Sequence, residues 1–192
     1  SSGNITVNVT TTVENETDAE ASVQVRSSIL NYADGSQFQE PVTSDAVTIT
    51  AGGKADVAQT MTAVNPKLWS TDSPNLYKMK TEVLVNGAVT DTYETRFGFT
   101  WSEFFTVTEA EILGYAFALN GEGMKLNGVC MHHDQGALGA VDNADAIERQ
   151  MRIMKEMGVN AIRVTHNPAS PDLMRICDEL GLMVIEEAFD TW

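Results

Sequence analysis

The chain has 192 residues, of which 43% are apolar, and its 27 acidic against 12 basic side chains give a formal net charge of −15. Such an acidic surface repels a phosphate backbone, so no nucleic-acid partner is expected. No run approaches the roughly 20 apolar residues that a membrane-spanning helix needs, so no membrane partner is expected either. The compartment stays open between bacterial cytoplasm, periplasm and secretion.

The first half of the chain has the two-residue hydrophobic period of β-strands. Apolar and polar residues alternate in residues 5–9, 22–26, 46–50 and 80–85, as in half-buried strands. Turn residues separate these runs, and the Asn86–Gly87 pair favours a type I′ hairpin. About seven short strands in this span fit an immunoglobulin-like β-sandwich, which we predict for residues 1–97.

In the second half of the chain, runs of apolar residues recur at the spacing of α-helices. A hairpin is predicted at Leu119–Glu122, and a helix follows the N-cap candidates Asp142 and Asn143. That helix is expected to end near Gly158 and to bury one apolar face, made of Ile147, Met151, Met154 and Met157.

A second helix has clear boundaries. Ser170 is a suitable N-cap, Pro171 suits the first helical position, and Gly181 suits the C-terminal end. Its apolar face is predicted to consist of Leu173, Ile176, Cys177 and Leu180.

Strands and helices alternate from Lys125 to Ala188, which predicts right-handed βαβ units and a parallel sheet. A whole (β/α)8 barrel takes roughly 250 residues, so residues 98–192 are expected to supply only about three of its strands. The alternative is a small doubly wound α/β domain, although no G-x-G-x-x-G or P-loop follows any predicted strand. The predicted fold class is therefore multi-domain β plus α/β.

Unusual polar residues follow three successive predicted strands. His132, His133 and Asp134 come after Gly128–Met131, the segment 163–168 follows the second strand, and Glu186 and Glu187 follow Leu182–Ile185. In a β/α barrel these points share the rim where active sites are built. The two cysteines, Cys130 and Cys177, have no C-x-x-C spacing and are expected to be two buried thiols rather than a disulfide or zinc site.

Several motifs in these segments closely resemble glycoside hydrolase family 2, which includes β-galactosidases, β-glucuronidases and β-mannosidases. Their order and spacing span nearly the whole chain. The motifs are Leu68–Tyr77, Arg96–Phe99, Leu119–Gly121, Gly128–Asp134, Asn160–Pro168 and Cys177–Leu182.

The resemblance implies a modular enzyme with a jelly-roll domain, an immunoglobulin-like sandwich and a catalytic barrel. The chain matches the sandwich (1–97) and the N-terminal third of the barrel (98–192). A retaining glycosidase needs two carboxyl groups about 5 to 5.5 Å apart, as acid/base and nucleophile. The family places these after barrel strands 4 and 7, so the chain alone is expected to lack both and to be a fragment without activity.

The resemblance also implies supporting roles for residues that are present. Arg163 matches the arginine that hydrogen-bonds the nucleophile, and the alternative is a structural arginine paired with a neighbouring barrel carboxylate. His132 and His166 match histidines that contact sugar hydroxyls, with a structural rim histidine as the alternative for each. Asn167 and Asp134 complete the predicted substrate-binding or supporting set.

Glu186 and Glu187 are expected to be structural or supporting rather than catalytic. Adjacent strand residues point to opposite sides, and the family does not use this position as acid or nucleophile. No metal site and no cofactor are predicted, because adjacent residues such as His132, His133 and Asp134 make poor joint ligands. The ending Phe189–Trp192 also lacks the magnesium-binding pattern of some β-galactosidases.

We therefore predict a fragment of a retaining, exo-acting glycoside hydrolase of the β-galactosidase kind, whose parent acts on β-linked oligosaccharides or glycosides. A noncatalytic carbohydrate-binding or protein-interaction module is the alternative. A homo-oligomeric state stays open, as do the sugar and the linkage.

Overall fold

The computed structural model describes residues 3–188. The chain divides into two compact units. One consists of Ser1–Lys67 with Leu76–Phe99, and the other consists of Leu68–Asn75 with Thr100–Trp192.

The first unit is a β-sandwich with seven strands among the described residues. β1 pairs antiparallel with β5 along its whole length to form one sheet, and the second sheet has the order β3-β2-β6-β7, with β4 also pairing with β2. The strands are β1 (Asn4–Glu14), β2 (Ala21–Asn31), β3 (Val42–Thr43), β4 (Val47–Ile49), β5 (Lys54–Val64), β6 (Tyr77–Val85) and β7 (Ala88–Phe97).

Apolar residues from both sheets fill the space between them, as the alternating sequence predicts. Val13 and Val57 come from one sheet, and Val23 and Val25 from the other. At the predicted hairpin between β6 and β7, Asn86 and Gly87 have φ angles of 51° and 79°, the left-handed values that a type I′ turn requires.

The second unit contains two small sheets. β8, β9 and β10 form an antiparallel sheet, and β11, β12 and β13 form a parallel sheet in chain order. The elements are β8 (Ser102–Phe104), α1 (Val107–Leu113), β9 (Phe117–Leu119), β10 (Glu122–Gly123), β11 (Gly128–Met131), a 3-10 turn (Gly136–Leu138), α2 (Ala144–Glu156), β12 (Ala161–Val164), α3 (Pro171–Leu180) and β13 (Met183–Ile185).

Helices α2 and α3 begin and end as their sequences predict. The Asn143 side chain accepts a hydrogen bond from Ala146 N, and the Ser170 side chain accepts one from Leu173 N. Gly158 and Gly181 follow the helices with positive φ angles of 86° and 73°. These caps satisfy backbone groups that a helix end would otherwise leave without partners.

Both helices cover one face of the parallel sheet and form its core. Ile162 and Val164 of β12 pack in a cluster with Ile147 and Met151 of α2 and with α3, where Leu173, Ile176 and Cys177 are buried. Burial raises the pKa of the Cys177 thiol to about 12. This cluster is the predicted βαβ core.

Three expectations about this unit were wrong in detail. Met157 is 72% exposed rather than buried, because it caps the end of α2 and the chain turns away there. Cys130 is exposed rather than buried, because alternation along β11 sends Met131 into the helical core and Cys130 to the other face. The second strand continues through Val164, so Arg163 lies within it rather than after it.

Helix α1 was not predicted from the sequence. Thr106 accepts a hydrogen bond from Glu109 N, and the Glu109 side chain bonds back to Thr106 N, which is a capping box. The spacing Thr106-x-x-Glu109 is the signal that could have revealed this helix.

The segment Leu68–Asn75 is bound to the helical part of its unit by specific hydrogen bonds. Trp69 Nε1 donates to Asp178 O at 2.8 Å, and Asn120 Nδ2 donates to Trp69 O at 2.9 Å. Lys155 Nζ donates to Thr71 O and to Gly181 O, the latter at 2.8 Å. The segment therefore ties together α2, α3 and the β9–β10 hairpin.

Candidate active site

The carboxyl ends of the three parallel strands position the candidate residues. Arg163 lies opposite Cys130 of β11 and opposite Ile185 of β13 in the strand register. Its neighbours Ile162 and Val164 pack against the helices, so alternation places Arg163 on the opposite face of the sheet. In a closed barrel that face is the interior.

The chain beyond β12 stays attached to β11. Thr165 N donates to Met131 O at 3.0 Å, and the Thr165 hydroxyl donates to the same oxygen at 3.1 Å. The Thr165–His166 peptide bond is cis. These contacts fix the starting point of the loop that carries His166 and Asn167.

One carboxylate joins two predicted site residues. Glu187 Oε1 lies 2.5 Å from Arg163 Nη2, and Glu187 Oε2 lies 2.7 Å from His166 Nδ1. The His166 ring meets the His132 ring edge to face, with 5.7 Å between centroids. The structure therefore brings Arg163 and His166 together around Glu187, with His132 packed against His166.

The two contacts of Glu187 differ in kind. His166 Nδ1 is hydrogen-bonded to Oε2. Oε1 is buried and forms a short ion pair with the guanidinium of Arg163, whose positive charge is permanent. Glu187 therefore pairs with a permanent cation through Oε1 and with an imidazole through Oε2.

The electrostatics of this cluster follow from these contacts. The hydrogen bond from His166, and next the Arg163 guanidinium, hold the pKa of Glu187 below its ordinary value although burial opposes this. Glu187 in turn raises the pKa of Arg163, and the Cys130 thiol adds to that effect. At neutral pH the Glu187 carboxyl is ionised and Arg163 carries its positive charge.

Other predicted residues make local contacts instead. Asp134 Oδ1 accepts a hydrogen bond from Gly136 N at 2.7 Å, which stabilises the turn after β11. His133 Nε2 lies 2.9 Å from Ala140 O in the same loop. Glu186 Oε1 accepts from Ala169 N at 2.9 Å, so the adjacent glutamates, which both follow β13, have different partners.

A cavity of about 450 Å³ lies between the loops that follow β11 and β12. His132, His133 and Asn167 line it, together with Gln135, which sequence reasoning missed. Gln135 is 9% exposed, and both polar atoms of its amide lack partners among the described residues. No sequence signal distinguishes this glutamine from a surface residue, because its burial depends on the fold of two loops.

Within the described residues, no group of three or more His, Cys, Asp or Glu side chains could hold a metal ion. The segment Phe189–Trp192, whose sequence lacks the magnesium-binding pattern, lies outside the described residues. Residues 3–188 also contain no helix that is long and apolar enough to cross a membrane.

A β-sandwich followed by parallel βαβ units with a charged rim defines the class: a modular protein with a β/α-barrel domain. Two family models match the chain: Glycosyl hydrolases family 2 over residues 1–99, and the TIM barrel domain of that family over residues 110–190. The chain belongs to glycosyl hydrolases family 2.

Individual relatives agree with this assignment. Beta-galactosidase BoGH2A of Bacteroides ovatus is 42% identical over 97% of this chain and 21% of its own length. A putative beta-glucuronidase of Formosa agariphila is 44% identical over 66% of this chain and 12% of its own. The chain thus spans about a fifth or less of these relatives.

Solved structures show the same fold. A family 2 member from Bacteroides cellulosilyticus has a TM-score of 0.88 and 34% identity, over 100% of this chain and 25% of that one. The beta-glucuronidase of Bacteroides uniformis has a TM-score of 0.84 and 27% identity, over 98% and 22% of the two chains. These matches include both units, so the sandwich and the beginning of a TIM barrel are shown.

Proposed function

We propose that the protein containing this chain is a retaining glycoside hydrolase that removes terminal β-galactosyl residues from oligosaccharides or glycosides. The observation that carries this proposal is the cluster of Arg163, His166, His132 and Glu187 at the carboxyl ends of the barrel strands. Active sites of β/α barrels lie at this rim. The 42% identity with a β-galactosidase over nearly the whole chain supports galactose as the sugar.

The proposed domain division places the sandwich in residues 1–97 and the barrel part in residues 98–192. Family-model matches to residues 1–99 and 110–190 support a boundary in this region.

Arg163 is proposed to orient the catalytic nucleophile and keep it ionised. A guanidinium donates up to five N–H bonds, and a nearby positive charge lowers the pKa of a carboxyl group. Its side chain is 49% exposed on the face opposite the helices, which leaves it accessible to another carboxylate. The alternative, a purely structural arginine, is supported by the ion pair with Glu187, and the kinetic test below separates the two.

His132, His166, Asn167 and Asp134 are proposed to contact or support the sugar. The two histidine rings lie together, His166 shares the Glu187 carboxylate with Arg163, and Asn167 lines the adjacent cavity. Neutral imidazole and amide groups both donate and accept hydrogen bonds, which suits sugar hydroxyls. Asp134 supports the loop through Gly136, so its proposed role is the less direct one.

Neither Glu186 nor Glu187 is proposed as the acid/base or the nucleophile. A general acid must be protonated near neutral pH, whereas the pKa of Glu187 is lowered by His166 and Arg163. The Glu186 carboxylate accepts a hydrogen bond from Ala169 N. A chain of these 192 residues is therefore expected to leave aryl β-galactosides intact.

The test compares the rates at which the full-length gene product hydrolyses nitrophenyl β-galactoside, β-glucuronide and β-mannoside under matched conditions. We expect the β-galactoside to be hydrolysed fastest, and proton NMR of the product should show retention of the anomeric configuration. Fastest hydrolysis of the glucuronide would instead favour a β-glucuronidase, which the putative glucuronidase relative makes the second candidate. No hydrolysis of any glycoside, with sugar binding retained, would support the noncatalytic module.

Replacing Arg163 tests its role in the full-length protein. Loss of one preorganised electrostatic group lowers kcat by about 10²-fold or more, so we expect a decrease of that order for Arg163→Ala. Arg163→Lys should recover only part of the activity, because a point charge cannot reproduce the planar fork. Near-normal kcat in a folded Arg163→Ala enzyme would assign Arg163 to structure alone.

A further inference from the structure

Glu187 connects two strands of the sheet through their side chains. It follows β13 by two residues, whereas Arg163 belongs to β12 and His166 follows β12 by two residues. Each carboxylate oxygen meets a different partner, Oε1 the guanidinium and Oε2 the imidazole. A single side chain thus constrains the two groups proposed to act on nucleophile and sugar.

The carboxylate determines where the proton of His166 must be. An ionised carboxylate accepts hydrogen bonds but cannot donate them. The contact of 2.7 Å between Glu187 Oε2 and His166 Nδ1 therefore requires a proton on Nδ1. In the neutral ring Nε2 then carries the lone pair, because a neutral imidazole has only one N–H.

Two titratable groups have direct contacts with the His166 ring among the described residues. Glu187 follows β13 and contacts Nδ1, and His132 follows β11 with its ring 5.7 Å from that of His166, while Glu186 is bound to Ala169 N. The opposite charges of Arg163 and Glu187 compensate one another, with 2.5 Å between Arg163 Nη2 and Glu187 Oε1. The Glu187 carboxylate is the group in direct hydrogen-bond contact with Nδ1.

We propose that Glu187 is a positioning residue, which fixes the guanidinium of Arg163 and holds His166 in the tautomer with the proton on Nδ1. The structural half of this inference is independent of the reaction. Its catalytic half rests on the proposed function: Glu187 prepares Arg163 for the nucleophile and presents His166 Nε2 as an acceptor of a hydroxyl proton.

The structural half is tested by NMR on the 192-residue chain. Long-range proton–nitrogen spectra of the imidazoles distinguish protonated from unprotonated ring nitrogens, and we expect His166 to show protonated Nδ1 and unprotonated Nε2 in its neutral form. In Glu187→Ala the acceptor is gone, and protonated Nε2 should become populated. A predominant Nε2–H form in the unmodified chain would overturn the proposal.

Glu187→Gln separates the two functions of the carboxylate. Its amide oxygen still accepts the Nδ1 proton, but its charge is lost, so the tautomer should persist while the Nη signals of Arg163 average by faster rotation. Glu186→Gln is the matched control, because the neighbouring carboxylate contacts Ala169 instead, and it should change neither signal. Equal effects of both substitutions would contradict a specific role for Glu187, provided that amide spectra show intact folds.

The catalytic half is tested by kinetics of the full-length enzyme. A displacement of about 1 Å in a positioning group costs on the order of 10²-fold, so Glu187→Ala should lower kcat/KM by up to that factor, mainly through kcat, with partial recovery in Glu187→Gln. Wild-type kinetics in folded Glu187→Ala would overturn this half. If the unmodified enzyme were inactive on every glycoside, the proposed function would be overturned instead. The NMR measurement of the His166 tautomer would still test whether Glu187 positions His166.

Discussion

Ile162 is the residue whose truncation should best measure the stability of the barrel unit. It lies in the middle of the central strand β12, is 0% exposed and belongs to the core cluster shared with α2 and α3. Ile162→Ala removes three carbon atoms from this core without adding a polar group. The change therefore tests packing alone.

The size of the effect follows from burial. Each buried methylene contributes about 0.8 kcal/mol, so the transfer contribution of three carbons is about 2.4 kcal/mol. The remaining cavity adds to this, and buried Ile→Ala substitutions cost about 2–5 kcal/mol in total. Ile162→Val removes one carbon and should cost about 0.5–1.5 kcal/mol. This smaller change provides a folded variant if Ile162→Ala does not fold.

Tryptophan fluorescence provides a selective assay. The three tryptophans are Trp69, Trp101 and Trp192, and all of them belong to the second unit. At a urea dependence of about 1–3 kcal/mol per M, a loss of about 3 kcal/mol lowers the unfolding midpoint by about 1–3 M. The tyrosines of the sandwich unit, Tyr32, Tyr77 and Tyr93, do not contribute to this signal when excitation is confined to tryptophan.

Ile185→Ala is the matched control, because the same substitution falls on the adjacent strand β13 at a site that is 52% exposed. It should change the free energy of unfolding by less than about 0.5 kcal/mol. If Ile162→Ala and Ile185→Ala lowered the midpoint equally, the helical side of the sheet would not be the core of this unit, and the reasoning would be refuted.

Two further predictions concern pH and local stability. Arg26 and then Lys80 lower the pKa of Glu82 from 4.5 to about 2, so the carboxylate stabilises the sandwich above the ordinary carboxyl pKa and this stabilisation is lost as pH falls towards about 2. The stability difference between the unmodified chain and Glu82→Gln, followed through amide signals of β2 during urea unfolding, should therefore shrink from pH 5 to pH 2. A constant difference would contradict this assignment. Hydrogen exchange should be faster in β11–β13 than in β2 and β6, because the barrel unit exposes large apolar side chains such as Phe104, Ile112 and Ile185. Equal protection at a concentration where the chain is monomeric would show that the barrel part is as stable as the sandwich.

Features that depend on neighbouring residues in sequence could be predicted. The Asn86–Gly87 and Asn120–Gly121 turns both adopt positive φ at both positions, because Asn and Gly tolerate this conformation. The caps Asn143 and Ser170 are also local, since each bonds an amide three residues ahead. The capping box of helix α1 is equally local, since Thr106 and Glu109 are three residues apart.

Features that depend on the register between strands could not be predicted. The rim position of Arg163 follows from where β12 ends, but its ion pair with Glu187 requires Arg163 to lie opposite Ile185 of β13. A shift of one residue would turn the side chains to the other face. The exposure of Cys130 depends on the same alternation together with what covers the sheet, which no spacing in the sequence records.

The two roles considered for Arg163 are compatible in this geometry. Glu187 contacts Arg163 at the terminal nitrogen Nη2, and a guanidinium has five N–H donors in a rigid fork. An ion pair along one edge restricts the rotation of the group and so lowers the entropy lost when a second carboxylate binds the rest of the fork. Glu187 also offsets part of the positive charge that burial beside a sugar would otherwise leave uncompensated. The pairing with a neighbouring barrel carboxylate is therefore compatible with the proposed role of Arg163 in orienting a nucleophile.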